Sequence, residues 1–358
     1  MNSKRILATA LIALTTMVGA MGEGIRIKPF TLAANEEKEI EILFDNSTDY
    51  GGLQFDLYLP EGVSIVEDED GLYYYNTDRL KYKSGRKTVD FTMQVALMDG
   101  GFYRFLIYNT EMQNIAGESG EPILTVKLKA SDRVRSSTQQ IRVQGQVLST
   151  VDAEETQIRA TAFPVSLTVR ATIGELGYAT FSWPVDLDFT GLDLGAYIAT
   201  ECSNGGVSLK PVWKVPAGTG LLLKGAKGTY TLQTTYEECD EVYENLLTGT
   251  AYAEVTANSG NVFVLANKTE GLGFYRAADG LTIYQYKAYL ESSSEARAFF
   301  LDDMTTGIDG VEAASSGMPV YTIEGQQVKQ FSRAGIYIKG GKKIIVSGNR
   351  RLFVGDRN

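Results

Sequence analysis

Apolar and polar residues alternate along most of this 358-residue chain. In EKEIEILFD (37–45) and GLQFDLYLP (52–60), every second residue is apolar and many of the residues between are charged or polar. Side chains of a strand point alternately to its two faces, so this period indicates strands with one buried face. Similar runs recur up to residue 170, and no segment keeps a helical period over three turns. Residues 24–171 therefore predict an all-β sandwich of two sheets packed face to face.

The next segment, residues 172–303, is again dominated by short strand patterns such as TGLLLKG and NVFVLANK. Two stretches, YEECDEVYENLL (236–247) and KAYLESSSEA (287–296), predict short helices. The segment therefore predicts a second β-rich domain. Residues 304–318 are small, polar and contain glycine, which is typical of a linker.

The C-terminal segment, residues 319–358, shows the same pattern of strands and turns over a shorter length. PVYTI is followed by a turn at Glu324-Gly325, and GIYIK by a turn at Gly340-Gly341 before KKIIV. Two-residue turns containing glycine are hairpin signals. The segment predicts four or five short strands, too few for an independent core.

The N-terminus has the layout of a secretory signal. Lys4 and Arg5 precede an apolar run, and the small residues Val18, Gly19 and Ala20 follow it. The alternative is a membrane anchor, but the uninterrupted apolar run is shorter than the roughly 20 residues that a spanning helix needs. We therefore predict that residues 1–20 are a cleaved signal peptide, that the mature chain has no transmembrane segment, and that the protein is exported.

Composition excludes several chemistries. The net charge is −10 with no basic run, so nucleic acid is not an expected partner. The chain has no histidine, which excludes Ser-His-Asp and Cys-His catalysis and histidine-ligated zinc. With two cysteines, a zinc site of four thiolates is excluded as well. An enzyme would need a carboxylate pair, a Ser–Lys pair or a metal on oxygen ligands. We predict no catalytic residues and no enzyme; the enzymatic alternative is a carboxylate-based glycoside hydrolase.

The two cysteines, Cys202 and Cys239, both lie in the second domain. An exported protein can form disulfides. Spacing alone cannot place two Cβ atoms together, so a Cys202–Cys239 bridge and two free thiols remain open.

An acidic stretch, EDEDG (67–71), is a candidate metal site. It does not fit an EF-hand loop, because Val66 and Thr77 would occupy the first and twelfth positions, where acids are required. A Ca²⁺ site of another geometry that uses Asp68 and Asp70 is one interpretation, and a solvated acidic turn is the other.

A run of three tyrosines is the candidate ligand site. In a strand, Tyr73 and Tyr75 share one face and Tyr74 takes the other. Exposed rings could stack on the apolar faces of sugars; the alternative is that they pack at the edge of the sandwich. We interpret Trp183 and Trp213 as core or loop anchors.

The tail resembles a known group. VYTIEGQQV, then GIYIK, a glycine turn and KKIIV are similar to the C-terminal modules of secreted Bacteroidetes proteins. Many such tails are sorting signals for type IX secretion. The resemblance implies that the export machinery is a partner of residues 319–358.

The first domain resembles cohesin-like and carbohydrate-binding-module-like sandwiches of the jelly-roll type. The resemblance is carried by GGLQFDLYLPEGVSIVEDEDG (51–71) and FYRFLIYNTEMQNIAGESGEPILTVKLKA (102–130). Cohesins bind dockerins through one sheet face, and related sandwiches bind sugars.

Together these features predict a non-enzymatic binding or adhesion protein at the outer-membrane surface or outside the cell. The first sandwich would bind a protein partner or a carbohydrate. Besides the glycosidase, a structural, fimbria-like subunit is an alternative; it predicts an exposed strand edge that a neighbouring chain completes.

Overall fold

The computed structural model describes residues 22–301, except 117, 119, 204 and 259, and the backbone of five short strands between residues 320 and 353. The predicted signal peptide (1–20) and linker (304–318) lie outside the described residues. Contacts divide the chain into two compact units that meet between Leu301 and Asp302. Within the described part, regular structure is almost entirely β, with one 3-10 turn at Asp78–Leu80. The all-β prediction is confirmed.

The first sandwich is built from sixteen strands. They are β1 Gly24–Arg26, β2 Phe30–Ala33, β3 Glu37–Asp45, β4 Gly52–Tyr58, β5 Val63–Ile65, β6 Glu67–Asp68, β7 Gly71–Leu72, β8 Tyr74–Asn76, β9 Lys81–Ser84, β10 Lys87–Asp90, β11 Thr92–Met98, β12 Phe102–Tyr108, β13 Pro122–Ala130, β14 Ser137–Ser149, β15 Glu155–Ile158 and β16 Thr161–Ile173.

Two sheets form its layers. The narrow sheet has the order β1-β3-β13-β5, with β8 also paired to β13. The wide sheet begins β11-β12-β4-β14-β16, with β15 on β14 and β2 parallel to β16. Two small hairpins, β6-β7 and β9-β10, stand apart from both.

The core lies between these two sheets and is formed by the inward-pointing apolar residues of the alternating strands. Ile40 and Ile42 of the narrow sheet are buried, while Glu39 and Glu41, which alternate with them, are exposed. From the wide sheet, Phe55 and Phe105 stack with ring centroids 4.6 Å apart. Burying such side chains supplies most of the drive to fold.

Strand β16 belongs to two sheets. Its first half pairs with β14, where Ser137 lies opposite Leu167. Its second half pairs with a strand of the next domain, where Val169 lies opposite Leu232. The boundary predicted after residue 171 falls within this strand and remains a prediction.

The following region contains fourteen strands. They are β17 Tyr178–Phe181, β18 Leu187–Asp188, β19 Leu194–Ser203, β20 Gly206–Val212, β21 Lys214–Val215, β22 Leu221–Gly225, β23 Gly228–Thr234, β24 Leu247–Gly249, β25 Val255–Thr256, β26 Val262–Lys268, β27 Gly271–Arg276, β28 Thr282–Ile283, β29 Ala288–Glu291 and β30 Ala298–Phe300.

Nine of these strands form one sheet, in the order β17-β22-β19-β20-β30-β27-β26-β29-β24. A bridge between Thr219 and Thr248 connects its last strand back to the residues before β22. The sheet therefore closes around a small core that contains Phe263, Phe274 and Phe299. A separate core around Trp183 includes Val169 and other residues of β16.

The two predicted helices are wrong. Residues 236–246 form a loop that leads into β24, and residues 287–296 contain β29. The Asp240 carboxylate accepts hydrogen bonds from the backbone N–H groups of Trp213 and Lys214, at 2.6 and 3.2 Å. These contacts tie the loop to a distant strand, and such tertiary bonds override a weak helical pattern.

The C-terminal unit is a five-stranded sheet. Its strands are β31 Val320–Thr322, β32 Gln327–Val328, β33 Gly335–Lys339, β34 Lys342–Ser347 and β35 Arg350–Phe353. Their order is β32-β31-β33-β34-β35, and all neighbouring pairs are antiparallel. The predicted turns at Glu324-Gly325 and Gly340-Gly341 lie outside the described residues.

Candidate functional site

The tyrosine run lies on the narrow sheet as its alternation predicts. Tyr74 packs against the core, while Tyr73 and Tyr75 share the outer face. Their ring centroids are 6.4 Å apart at an interplanar angle of 88°. Tyr75 is 47% exposed. The two rings meet edge to face, so they do not form one flat platform; whether they bind a ligand remains a prediction.

Tyr73 is held by charged neighbours. Its hydroxyl donates a hydrogen bond to Glu39 at 2.9 Å, and Lys127 Nζ lies 5.3 Å from its ring centroid. The hydrogen bond to Glu39 raises the pKa of the Tyr73 hydroxyl, with burial as a smaller cause. Tyr73 therefore positions the pair, and Tyr75 presents the free ring.

Charges on this outer face of the narrow sheet compensate one another. Glu37 lies 3.0 Å from Lys127 and 3.5 Å from Lys129. The hydrogen bond from Lys127 lowers the pKa of Glu37. A shallow depression of 380 Å³ beside this network is lined by Tyr75, Lys28, Glu39, Glu41 and neighbouring residues. Such a surface offers polar groups beside one exposed ring.

The acidic stretch forms a tight hairpin. Asp68 lies opposite Gly71, so Glu69 and Asp70 make the turn between β6 and β7. The side chain of Asp68 lies outside what the structure describes. Among the described residues, no three acidic or cysteine side chains group as metal ligands. The Ca²⁺ site at Asp68 and Asp70 remains a prediction.

Cys202 and Cys239 are free thiols in this structure, and the bridge between them remains a prediction. Cys202 packs against the closed sheet's core, and burial raises the pKa of its thiol to about 11. Cys239 lies in the loop after β23, with its sulfur 3.8 Å from the carbonyl oxygen of Glu237. The two thiols therefore lie in different surroundings, one against a core and one in a loop.

The tryptophans differ from each other. Trp183 is buried, stacked on Phe181 with centroids 5.7 Å apart and against Tyr286 at 4.4 Å. It is the core anchor that the sequence predicts. The Trp213 ring is 49% exposed, and only its backbone is anchored, by Asp240 and Phe189.

Sequence reasoning missed the outer face of the wide sheet. A shallow depression of 390 Å³ there is lined by Leu106, Met112, Val147, Tyr108, Gln54 and neighbouring residues. Leu106 is 36% exposed and Met112 is 74% exposed. A signal was present: within FYRFLIY, Leu106 occupies an outward position that alternation reserves for polar residues.

Arginines and aromatic rings brace one side of this face. The Arg104 guanidinium donates hydrogen bonds to both carboxylate oxygens of Asp56, each at 2.7 Å. Tyr58 stacks on Phe102 with centroids 4.7 Å apart, and Arg142 lies 5.1 Å from the Tyr58 ring. A bidentate pair and stacked rings hold their side chains in place. The side chains on this side of the face are therefore held in place next to the partly apolar depression.

Fold and faces together define an all-β sandwich protein with two contrasting outer surfaces. No family model and no curated protein matches the chain. Solved structures similar to it include a cohesin of Clostridium acetobutylicum (7% identity, TM-score 0.32, 40% of this chain and 88% of that one). Others are a non-cellulosomal cohesin of Archaeoglobus fulgidus (12%, 0.29, 40% and 88%) and the seventh ScaB type I cohesin of Pseudobacteroides cellulosolvens (13%, 0.31, 42% and 94%).

Within the described residues, we find no helix with the length and apolar character to cross a membrane.

Proposed function

We propose that this chain is an exported binding protein of the cell surface or extracellular space, and that its first sandwich docks a protein partner. The docking surface is the outer face of the wide sheet around Leu106, Met112 and Val147. The observation that carries the proposal is the exposure of Leu106 on strand β12 and of Met112 in the loop after it, both lining one depression. Contiguous exposed apolar groups with a polar rim are typical of interaction sites.

The contrast between the two faces favours this one for a protein. On the narrow sheet, Glu37, Lys127 and Lys129 already satisfy one another, so a partner would gain little by contacting them. On the wide sheet, covering Leu106 would remove apolar surface from water. Similar cohesins from Clostridium thermocellum and Acetivibrio cellulolyticus were solved in complex with dockerins; for this chain the exposed face itself is the support.

A carboxylate-based glycosidase fits this face poorly. Asp56 is 5% exposed and both its oxygens are held by Arg104. A catalytic acid or nucleophile must reach its substrate, and both oxygens of this buried carboxylate are already occupied by the guanidinium.

The test compares two single substitutions of similar exposure on opposite faces. Immobilised wild type, Leu106→Asp and Tyr75→Ser are incubated with proteins from the producing cells' envelope and medium, and captured proteins are quantified. We expect a protein retained by wild type and Tyr75→Ser to be lost with Leu106→Asp. Equal capture by all three proteins, or by none, would refute the proposed surface.

A carbohydrate is the second candidate, because Tyr75 exposes a ring beside the polar depression on the narrow sheet. A sugar would stack on the ring and hydrogen-bond to Glu39, Glu41 or Lys28. A glycan array probed with wild type, Tyr75→Ala and Leu106→Asp separates the candidates. A sugar bound by wild type and Leu106→Asp but lost with Tyr75→Ala would support carbohydrate binding.

A further inference from the structure

We propose that a second copy of this chain pairs antiparallel with strand β11, about a two-fold axis at Val95, and so joins two wide sheets into one. Strand β11 is the first strand of the wide sheet, and among the described residues it pairs only with β12. Its other side therefore presents backbone N–H and C=O groups along seven residues, Thr92–Met98. Such groups are a template for another strand.

This edge lacks the features that normally prevent pairing. Natural edge strands carry charges, proline or a bulge, or are very short. Thr92–Met98, TMQVALM, has no charged residue and no proline. Its register with β12 runs without a shift from Thr92 to Met98. By comparison, both edges of the narrow sheet are short: β1 and β5 have three residues each.

Leu97 is an exposed apolar side chain at this edge, and a second copy of the strand would cover it. It pairs with Tyr103, so it points to the same side as the core, yet it is 58% exposed. The described part of the sandwich ends there, because no described strand pairs with the other side of β11. In an antiparallel pair centred on Val95, Met93 of one copy lies opposite Leu97 of the other. Each copy would then extend the core of its partner and cover its exposed leucine.

The remaining cross-strand pairs favour a second copy over an unrelated strand. Gln94 would lie opposite Ala96, and Thr92 opposite Met98, on the outer face. Neither pair brings like charges together, and the residues on both sides of the axis are the same. A two-fold contact of this kind is self-complementary and closes, so it gives a dimer and not a fibre. This distinguishes the inference from a fimbria-like polymer.

Two double variants that differ at one position test the pairing. In the double variant Gln94→Lys with Ala96→Lys, the lysine at position 94 of each copy lies opposite the lysine at position 96 of the other. The dimer then contains two such like-charge pairs. Gln94→Glu with Ala96→Lys places opposite charges there instead. Gln94 and Ala96 are exposed, so both variants keep the core intact. Sedimentation velocity of the full mature chain, at protein concentrations up to hundreds of micromolar, measures the dimer, because small interfaces are weak.

We expect wild type and the Glu/Lys variant to dimerise, and the Lys/Lys variant to dissociate at least roughly tenfold more readily. Added salt should partly restore the Lys/Lys dimer by screening the repulsion. A monomeric wild type at every concentration would overturn the inference. So would a Lys/Lys dimer as tight as wild type, which would place the contact elsewhere. Neither result depends on the partner proposed for Leu106.

Discussion

At the scale of single residues, one guanidinium fastens a loop to the narrow sheet. The Arg79 side chain is 7% exposed. Its Nη1 donates to the carbonyl oxygens of Phe44 and Glu121 at 2.7 and 2.9 Å, and its Nη2 to those of Ala116 and Glu118 at 3.2 and 3.3 Å. Burial lowers the pKa of Arg79, and Glu118 opposes that shift. Only a planar group with five donors can serve so many acceptors at once.

Replacing Arg79 by lysine should therefore destabilise the protein. An ammonium cannot span these carbonyls, so buried acceptors lose their partners, and we expect the free energy of unfolding to fall by about 2–4 kcal/mol. Urea denaturation measures the change. Arg142→Lys, at an exposed position, is the matched control and should change stability by less than about 0.5 kcal/mol. Equal stability of the two variants would contradict the role given to Arg79.

Glu23 supplies a pH-dependent contact. Hydrogen bonds from the side chains of Ser47 and Tyr50 lower the pKa of Glu23 below 4.5. A carboxyl with a lowered pKa stabilises the fold above its unfolded pKa, and this contribution disappears as pH falls through the folded value. The stability difference between wild type and Glu23→Gln should be largest near neutral pH and shrink below about pH 4.5. Denaturation curves over this range measure it; a pH-independent difference would be inconsistent.

The two thiols should be distinguishable by their reactivity. Burial raises the pKa of Cys202 to about 11, with Glu201 as a smaller cause, so little thiolate forms near neutral pH. Cys239 is held in a surface loop, and burial also raises its pKa. We expect iodoacetamide to modify Cys239 faster than Cys202, as measured by peptide mass spectrometry of unreduced protein. A Cys202–Cys239 peptide in that experiment would show instead that the exported protein forms the bridge.

At the scale of elements, alternation predicted the strands because each sheet of the sandwich buries one face. The inward-pointing residues of β3 and β4 could be predicted directly from the sequence. The same logic failed for residues 236–247, where tertiary bonds to Asp240 and Asn245 decide the conformation. Those partners are 25 or more residues away in sequence. Local patterns carry no information about contacts of that range.

The candidate sites were predictable to different degrees. The shared face of Tyr73 and Tyr75 follows from spacing alone. The anchoring of Tyr73 by Glu39 does not, since the two residues are 34 apart in sequence. Leu106 was missed because an apolar residue in a strand is ordinarily counted towards the core. The alternation within FYRFLIY places it on the outward side, and the register with its neighbours confirms that position.

Close packing in the closed sheet makes one glycine indispensable. A Cβ at Gly249 would collide with the carbonyl oxygen of Gly218 and with Ser182 Oγ. Gly249→Ala should therefore lower the free energy of unfolding by about 2–3 kcal/mol through overpacking. Gly174→Ala is the control, because a Cβ there meets nothing within 4 Å. Thermal unfolding followed by circular dichroism compares them, and a Gly249→Ala protein as stable as the control would count against this packing.

At the scale of the whole molecule, the predicted roles of the two ends of the chain in export can be tested. We predict that the mature protein begins after Ala20 and that residues 319–358 are required for its export. N-terminal sequencing of the protein from the envelope or medium tests the first point. Expression of a chain truncated after residue 318 tests the second; we expect it to be retained inside the cell. Normal release of the truncated chain would leave the tail sheet without an export role.

Strand β16 has a consequence for how this protein could be rearranged. Its second half buries Val169 and Ala171 in the neighbouring core, and Ser136 beside it donates a hydrogen bond to the Leu232 carbonyl at 2.6 Å. A fragment that ends at residue 171 would expose those side chains and remove the acceptor of the Ser136 hydroxyl. We therefore expect the first sandwich to be less stable when it is produced without the region that follows it.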